Sequence, residues 1–208
     1  MKFDNNVFIH IPKNLGTTIE TVILKKYYNF NLQEDELPLN KNAHVWYEYW
    51  NSKYKIEDSN FREDFKSKHT QPLSVYINSF DDIENIFTIV RNPYDRIISL
   101  YKDTKKRNEH YGDKFIYNES FDHFIKTGYF KNNKLLDHYS KRQVDFIDCD
   151  REIKILKMEE PEKIIEYLNS ISVKINELPK TNVSKHEEID INPYIDIINE
   201  YYYEDFVK

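Results

Sequence analysis

Cysteine occurs once in 208 residues, at Cys149, which excludes a disulfide within the chain and leads us to expect a reducing compartment. Glycine occurs only three times, so each one marks a place where backbone freedom or close approach is wanted. No apolar run approaches the ~20 residues that a membrane span needs. The N-terminus lacks a secretory pattern, because strand-like residues begin almost at once. The expectation is a cytoplasmic protein, or a trimmed form of a longer one, with no membrane segment. Positive charge is also in short supply. There are 30 Lys and Arg against 36 Asp and Glu, a net charge of −6. Nucleic-acid binders are more often basic, so no nucleic-acid partner is expected, and an anionic ligand has to be caught by a local patch against the overall field. There is no internal repeat, low-complexity run or linker. Residues 1–208 read as one domain, long enough to bury a full core. What the chain has in abundance is aromatic residues, 17 Tyr and 13 Phe, which places it among globular chains rather than disordered ones.

One stretch organises the rest: VFIHIPKNLGTTIE, Val7 to Glu20. Val7 to Ile11 has the apolar continuity of a buried parallel strand. Pro12 and Lys13 break it. From Gly16 the apolar residues Ile19, Val22 and Ile23 recur at helical spacing. Strand, tight loop and helix together make an anion site. The first amides of a helix have no internal partner, and the helix dipole adds positive potential there. Gly16 is expected to let an anion approach the backbone. Thr17 and Thr18 offer hydroxyls, and Lys13 a mobile full charge. The order differs from a Walker A loop, GxxxxGK[ST], because Lys13 precedes the glycine.

A second strand is expected over Ile86 to Val90, β-branched and apolar throughout. Arg91-Asn92-Pro93 ends it, and a helix over Tyr94 to Lys106 follows, with Asn92 as its cap and Pro93 in its first turn. Arg91 thus stands at the C-terminal end of a strand, where open α/β sheets bind ligands. Arg96 and Ser99 share a helix face, and an arginine fork beside a hydroxyl suits a phosphate monoester. A structural ion pair with Asp95 or Asp103 is the other reading of Arg91 and Arg96. The basic tail Lys102, Lys105, Lys106 and Arg107 complements the helix C-terminus or draws in an anionic acceptor. Trp46, Tyr49 and Trp50 suggest core packing, or a platform for sugar stacking.

Further along, a helix capped by Ser120 is expected over Phe121 to Thr127, stopped by Gly128. A third strand is expected over Ile153 to Leu156, a helix over Pro161 to Ile171, an irregular loop over Leu178 to His186, and a last helix capped at Asn192-Pro193. Strands alternating with helices imply an α/β fold with a parallel sheet, about five strands by the usual sheet size.

Two motifs carry a family resemblance. Residues 10–18, HIPKNLGTT, resemble the 5′-phosphosulfate loop, HIPKTGGTS, of sulfotransferases that use PAPS (3′-phosphoadenosine 5′-phosphosulfate). Leu15 stands where that pattern has its first glycine. Residues 91–101 match the family's 3′-phosphate motif, RNPxxRxxSxY, at every fixed position. The group resembled is the carbohydrate sulfotransferases that include the heparan sulfate 2-O-sulfotransferases and bacterial relatives. Looser signatures extend the resemblance over nearly the whole chain: Val144 to Ile147, Glu159, Leu178 to Lys185 and the Tyr-rich end.

The resemblance implies a P-loop-NTPase-like sulfotransferase fold and transfer of a sulfuryl group from PAPS to a hydroxyl, of a carbohydrate by family, with PAP as product and no metal. It implies that Lys13, Asn14, Gly16, Thr17 and Thr18 hold the 5′-phosphosulfate, that Arg91 and Ser99 hold the 3′-phosphate, and that Lys185 closes over the cofactor. Sulfuryl transfer needs a base for the acceptor proton and stabilisation of charge on the departing phosphate. Lys13 is assigned the second task. By resemblance His69 is the base, with His44 and Glu48 as alternatives. His10, inside the first strand, reads as a core histidine. A P-loop kinase or NTPase lacks its GK[ST] here and a Mg²⁺-binding Asp after a strand; a decayed PAP-binding protein is the non-enzyme reading.

Overall fold

The computed structural model describes residues 2–27, 83–111, 117–132, 137–179 and 188–207. His44, Trp46, Glu48, Tyr49, Trp50, His69 and Lys185 lie outside the described residues.

The sheet opens with two short strands, the second of them buried throughout. In β1 (Lys2–Phe3) and β2 (Asn6–Ile9) the chain turns back on itself at Asp4, and the pair is antiparallel. Helix α1 (Gly16–Tyr27) follows. Strand β3 (Asn85–Val90) pairs parallel to β2, Val7 beside Ile86 and Phe8 beside Phe87. Helix α2 (Pro93–Tyr111) leaves its end, and short helices α3 (Phe121–Lys126), α4 (Tyr129–Asn132) and α5 (Asp137–Ser140) lead to a 3-10 turn at Gln143–Phe146. Strand β4 (Lys154–Lys157) then pairs parallel to β3, and α6 (Pro161–Ser170) follows. A second 3-10 turn, Asn192–Tyr194, opens into α7 (Ile195–Val207), kinked at Tyr202.

The fold is a single-domain α/β arrangement with the sheet order β1-β2-β3-β4 and three parallel strands. Period-two alternation divides the core. Phe8, Phe87, Ile89 and Leu156 face α1 and α6, while Val7, Ile9 and Ile86 face Ile11 and Phe146. Both faces of β2 and β3 are therefore apolar, as parallel interior strands require. Thr88, fully buried between them, donates its hydroxyl proton to the Ile9 carbonyl at 2.9 Å, so the one polar side chain in mid-strand is satisfied. Strand β4, at the edge of the sheet among the described residues, buries only Leu156 and exposes Lys154 and Lys157. A second cluster, rich in aromatics, packs α2, α3 and α7 together through Tyr101, Phe121, Phe124, Phe130 and Tyr202.

Several expected boundaries move. The first strand ends at Ile9, because His10 and Ile11 leave the ladder to enter the loop. The sheet shows four strands among the described residues, one of them antiparallel, where about five parallel strands were expected. Ser120 does cap α3: its Oγ accepts from the His123 amide at 3.2 Å, and Gly128 at φ +65° ends the segment. Asn192 does not cap α7. Its side-chain amide donates to Asp190 Oδ1 instead, and a 3-10 turn intervenes.

Candidate functional site

Strands β2 and β3 are parallel neighbours, so the loops that leave their C-terminal ends emerge at the same sheet edge. The first is residues 10–15. Two of its residues hold left-handed backbone, Lys13 at φ +72° and Leu15 at φ +62°. For residues other than glycine this conformation costs roughly 1–2 kcal/mol each. Leu15 thus supplies by strain what glycine supplies freely in the family pattern, and its side chain packs against the α1–α6 core cluster.

Three consecutive residues of the loop are tied down by distant partners, which is how such strain persists. The Pro12 carbonyl accepts from Arg96 Nε at 3.2 Å. The Lys13 carbonyl accepts from Arg91 Nη1 at 3.3 Å. Asn14, almost fully buried, turns its amide inward and donates Nδ2 to the Ile89 carbonyl at 3.0 Å and to Gln143 Oε1. The Asn14 side chain therefore positions the loop. Its Oδ1 has no partner among the described residues.

At the start of α1, the Ile19 amide donates to the Leu15 carbonyl at 3.0 Å. The amides of Gly16 and Thr17 come before it and have no intrahelical acceptor, the arrangement that collects anions. Thr17 is half-buried and Thr18 buried. Gly16 also answers a constraint that the sequence did not show. A Cβ placed there would run into the His10 ring. The missing side chain makes room for an imidazole beneath the loop. His10 is a core histidine, as expected, with Nδ1 2.8 Å from Glu20 Oε1 and both side chains nearly enclosed.

The second loop begins at Arg91. Asn92 caps α2: its Oδ1 accepts from the Tyr94 amide at 2.9 Å, while its own amide donates to Glu159 at 2.7 Å. Arg91 is half-buried, and that burial pushes its guanidinium below the ordinary arginine value, opposed by the nearby charges of Asp95 and Glu159. Arginine remains cationic. Its main chain is clasped by Gln143, whose Oε1 accepts from the Arg91 amide at 2.8 Å and whose Nε2 donates to the Arg91 carbonyl at 2.9 Å. Gln143 thus bridges the two loops through one side chain.

Arg96 does not pair with Asp95 or Asp103, the alternative raised by its sequence position. It is 2% exposed, donates Nη2 to the Tyr139 carbonyl at 3.1 Å as well as Nε to Pro12, and sits 5.8 Å from the centre of the Tyr202 ring. It fixes the first loop from behind. Asp103 goes to Lys13, whose Nζ lies 3.3 Å from Oδ1. Ser99 lies half-buried on α2, three residues beyond Arg96.

Asp205 of α7 braces the assembly. Its carboxylate accepts from the amides of Gln143 and Val144 at 2.9 and 3.0 Å, capping the 3-10 turn from another element. Burial pushes this carboxyl up, and those two amides and Arg96 pull it back. Next to it, Arg142 binds Asp145 and Glu204 at 2.7 Å each. The roles of Gln143 and Asp205 were missed by sequence reasoning, and Asp103 was read against an arginine and not Lys13, since each acts on a residue far away in the chain.

The arrangement collects Lys13, Arg91 and the first amides of α1 at one edge, a pattern suited to an extended polyanion. Among the described residues, no group of three or more His, Cys, Asp or Glu could hold a metal ion, and no helix is long and apolar enough to cross a membrane. A sequence model described as the sulfotransferase family matches residues 2–208. No curated protein and no solved structure gives a match.

Proposed function

The chain belongs to the sulfotransferase family, and on that premise we propose that it moves the sulfuryl group of PAPS to a hydroxyl of a carbohydrate acceptor. The observation that carries this reading is the junction of the two motifs, Arg91 Nη1 against the Lys13 carbonyl at 3.3 Å. A single adenosine bisphosphate presents anionic groups at both its 5′ and 3′ ends, and adjoining cationic loops at one sheet edge are what such a molecule needs.

Each residue then has a task. The amides of Gly16 and Thr17, the Asn14 main chain and the hydroxyls of Thr17 and Thr18 hold the 5′ end at the start of α1. Arg91 and Ser99 hold the 3′-phosphate. Lys13 places its ammonium where charge gathers on the leaving phosphate oxygen. His69 takes the proton of the attacking hydroxyl, and Lys185 closes over the nucleotide. PAPS supplies an activated sulfuryl group; the new O–S bond forms as the S–O bond to the 5′-phosphate breaks, and PAP departs.

Thermal-shift titration is the direct test. PAP is expected to stabilise the chain at concentrations where AMP and ATP have little effect, and Arg91→Ala to erase the difference. Equal stabilisation by ATP and PAP would favour a kinase or NTPase instead. Binding of PAP with no transfer to any acceptor would favour a decayed enzyme. The base has its own signature. Histidine titrates near neutrality, so turnover is expected to fall on the acid side between about pH 7.5 and 5.5 as the base takes up a proton. A flat profile there, unaltered by His69→Gln, removes His69 from the mechanism.

A further inference from the structure

The helix that carries Arg96 and Ser99 also carries, seven residues after Arg96, a carboxylate that reaches back to the first loop. Residues i, i+3 or i+4, and i+7 of a helix share a face, so Arg96, Ser99 and Asp103 look toward the same side of α2. Arg96 fixes the Pro12 carbonyl from that face, and Asp103 takes the next residue's ammonium, Lys13 Nζ, at 3.3 Å. The two side chains are 20% and 26% exposed, so solvent screens the pair only in part. The Lys13 backbone is held in place. Its φ of +72° sets the direction in which the stem leaves the loop, and its carbonyl is held by Arg91.

We propose that Asp103 is an internal competitor for Lys13: a carboxylate that occupies the ammonium until an incoming phosphate-type anion displaces it. The inference rests on the assignment of Lys13 to the donor's 5′ end. An anion placed on the amides of Gly16 and Thr17 and on the Lys13 ammonium brings like charge toward Asp103, and the two repel. Binding therefore exchanges one ion pair for another instead of adding one. The exchange lowers nucleotide affinity, and it runs in reverse when the product leaves, because Asp103 recaptures the lysine. Asp103 acts through Lys13 and is a positioning residue, not one that touches the reacting atoms.

The test is titration calorimetry of the full chain with PAP and, separately, with inorganic phosphate. Asp103→Asn is expected to bind PAP about fivefold more tightly than the wild type, the scale of a partly exposed ion pair. Asp103→Glu restores the weaker wild-type affinity. In a Lys13→Ala background the gain from Asp103→Asn is expected to shrink below about twofold, since the ammonium in contention is gone. A purely structural aspartate would instead weaken binding when replaced, whatever stands at position 13. Unchanged or weaker binding in Asp103→Asn overturns the proposal, as does a full gain that persists without Lys13. The same variant pattern with phosphate, but no preference for PAP, would sink the nucleotide reading and leave the competition standing. Failure of every variant and the wild type to bind either ligand overturns both.

Discussion

Arg96→Leu is expected to lower the unfolding free energy by about 3–5 kcal/mol, read as a drop in the urea midpoint at unchanged slope. The substitution removes charged donors from the carbonyls of Pro12 and Tyr139, each such bond being worth roughly 1.5–3 kcal/mol. It also removes the positive charge that helps keep the buried Asp205 carboxyl ionised. The leucine recovers part of the loss by burying apolar surface over the Tyr202 ring, which is why the sum of the separate terms is not reached. Native chains of this size are stable by about 5–15 kcal/mol, so the change consumes a large fraction of the total. Arg96→Lys is expected to recover less than half, because one ammonium lacks the planar fork that serves two carbonyls at once. A loss below about 1 kcal/mol for Arg96→Leu would mean that the buried guanidinium is dispensable to the loop.

Lys13→Ala is expected to reduce turnover by about 100- to 1000-fold, the range for removing one donor aimed at charge that develops in the transition state. The fold should survive. Lys13 is a loop residue whose ammonium joins Asp103 in a partly exposed pair, and alanine at φ +72° bears much the same strain as lysine. The informative quantity is the division between kcat and KM. Loss of leaving-group stabilisation falls on kcat, whereas loss of a ground-state contact falls on KM for PAPS. A kcat within tenfold of the wild type, with KM raised, would reduce Lys13 to a binding residue.

These two variants also mark where the sequence was legible. Strands β2 and β3 announced themselves because both of their faces are buried, which leaves an unbroken apolar run. The Ser120 and Asn92 caps were legible because a cap acts within three residues of itself. The proximity of Lys13 and Arg91 followed from the rule that parallel neighbours open their loops at one edge. The partners of Arg96, by contrast, are main-chain carbonyls of two remote segments, and a carbonyl has no signature in the one-letter code. The steric constraint at Gly16 comes from an imidazole six residues earlier that only the folded loop brings under it. Gln143 sits in a stretch with no period and serves Arg91 and Asn14, neither near it in the chain. The extra antiparallel edge, β1, is two residues long, too short for any alternation to show.

Asp205 has a consequence for the order of events at the ribosome. The loop of residues 10–15 is made before Arg91, but the side chain that clasps Arg91 belongs to a turn braced by residue 205, later than both. A nascent chain that has made both basic loops still lacks the carboxylate that seats Gln143 between them. Translation must therefore reach the last turn of α7 before this brace can form, so a late-made helix completes the support of two loops made well before it.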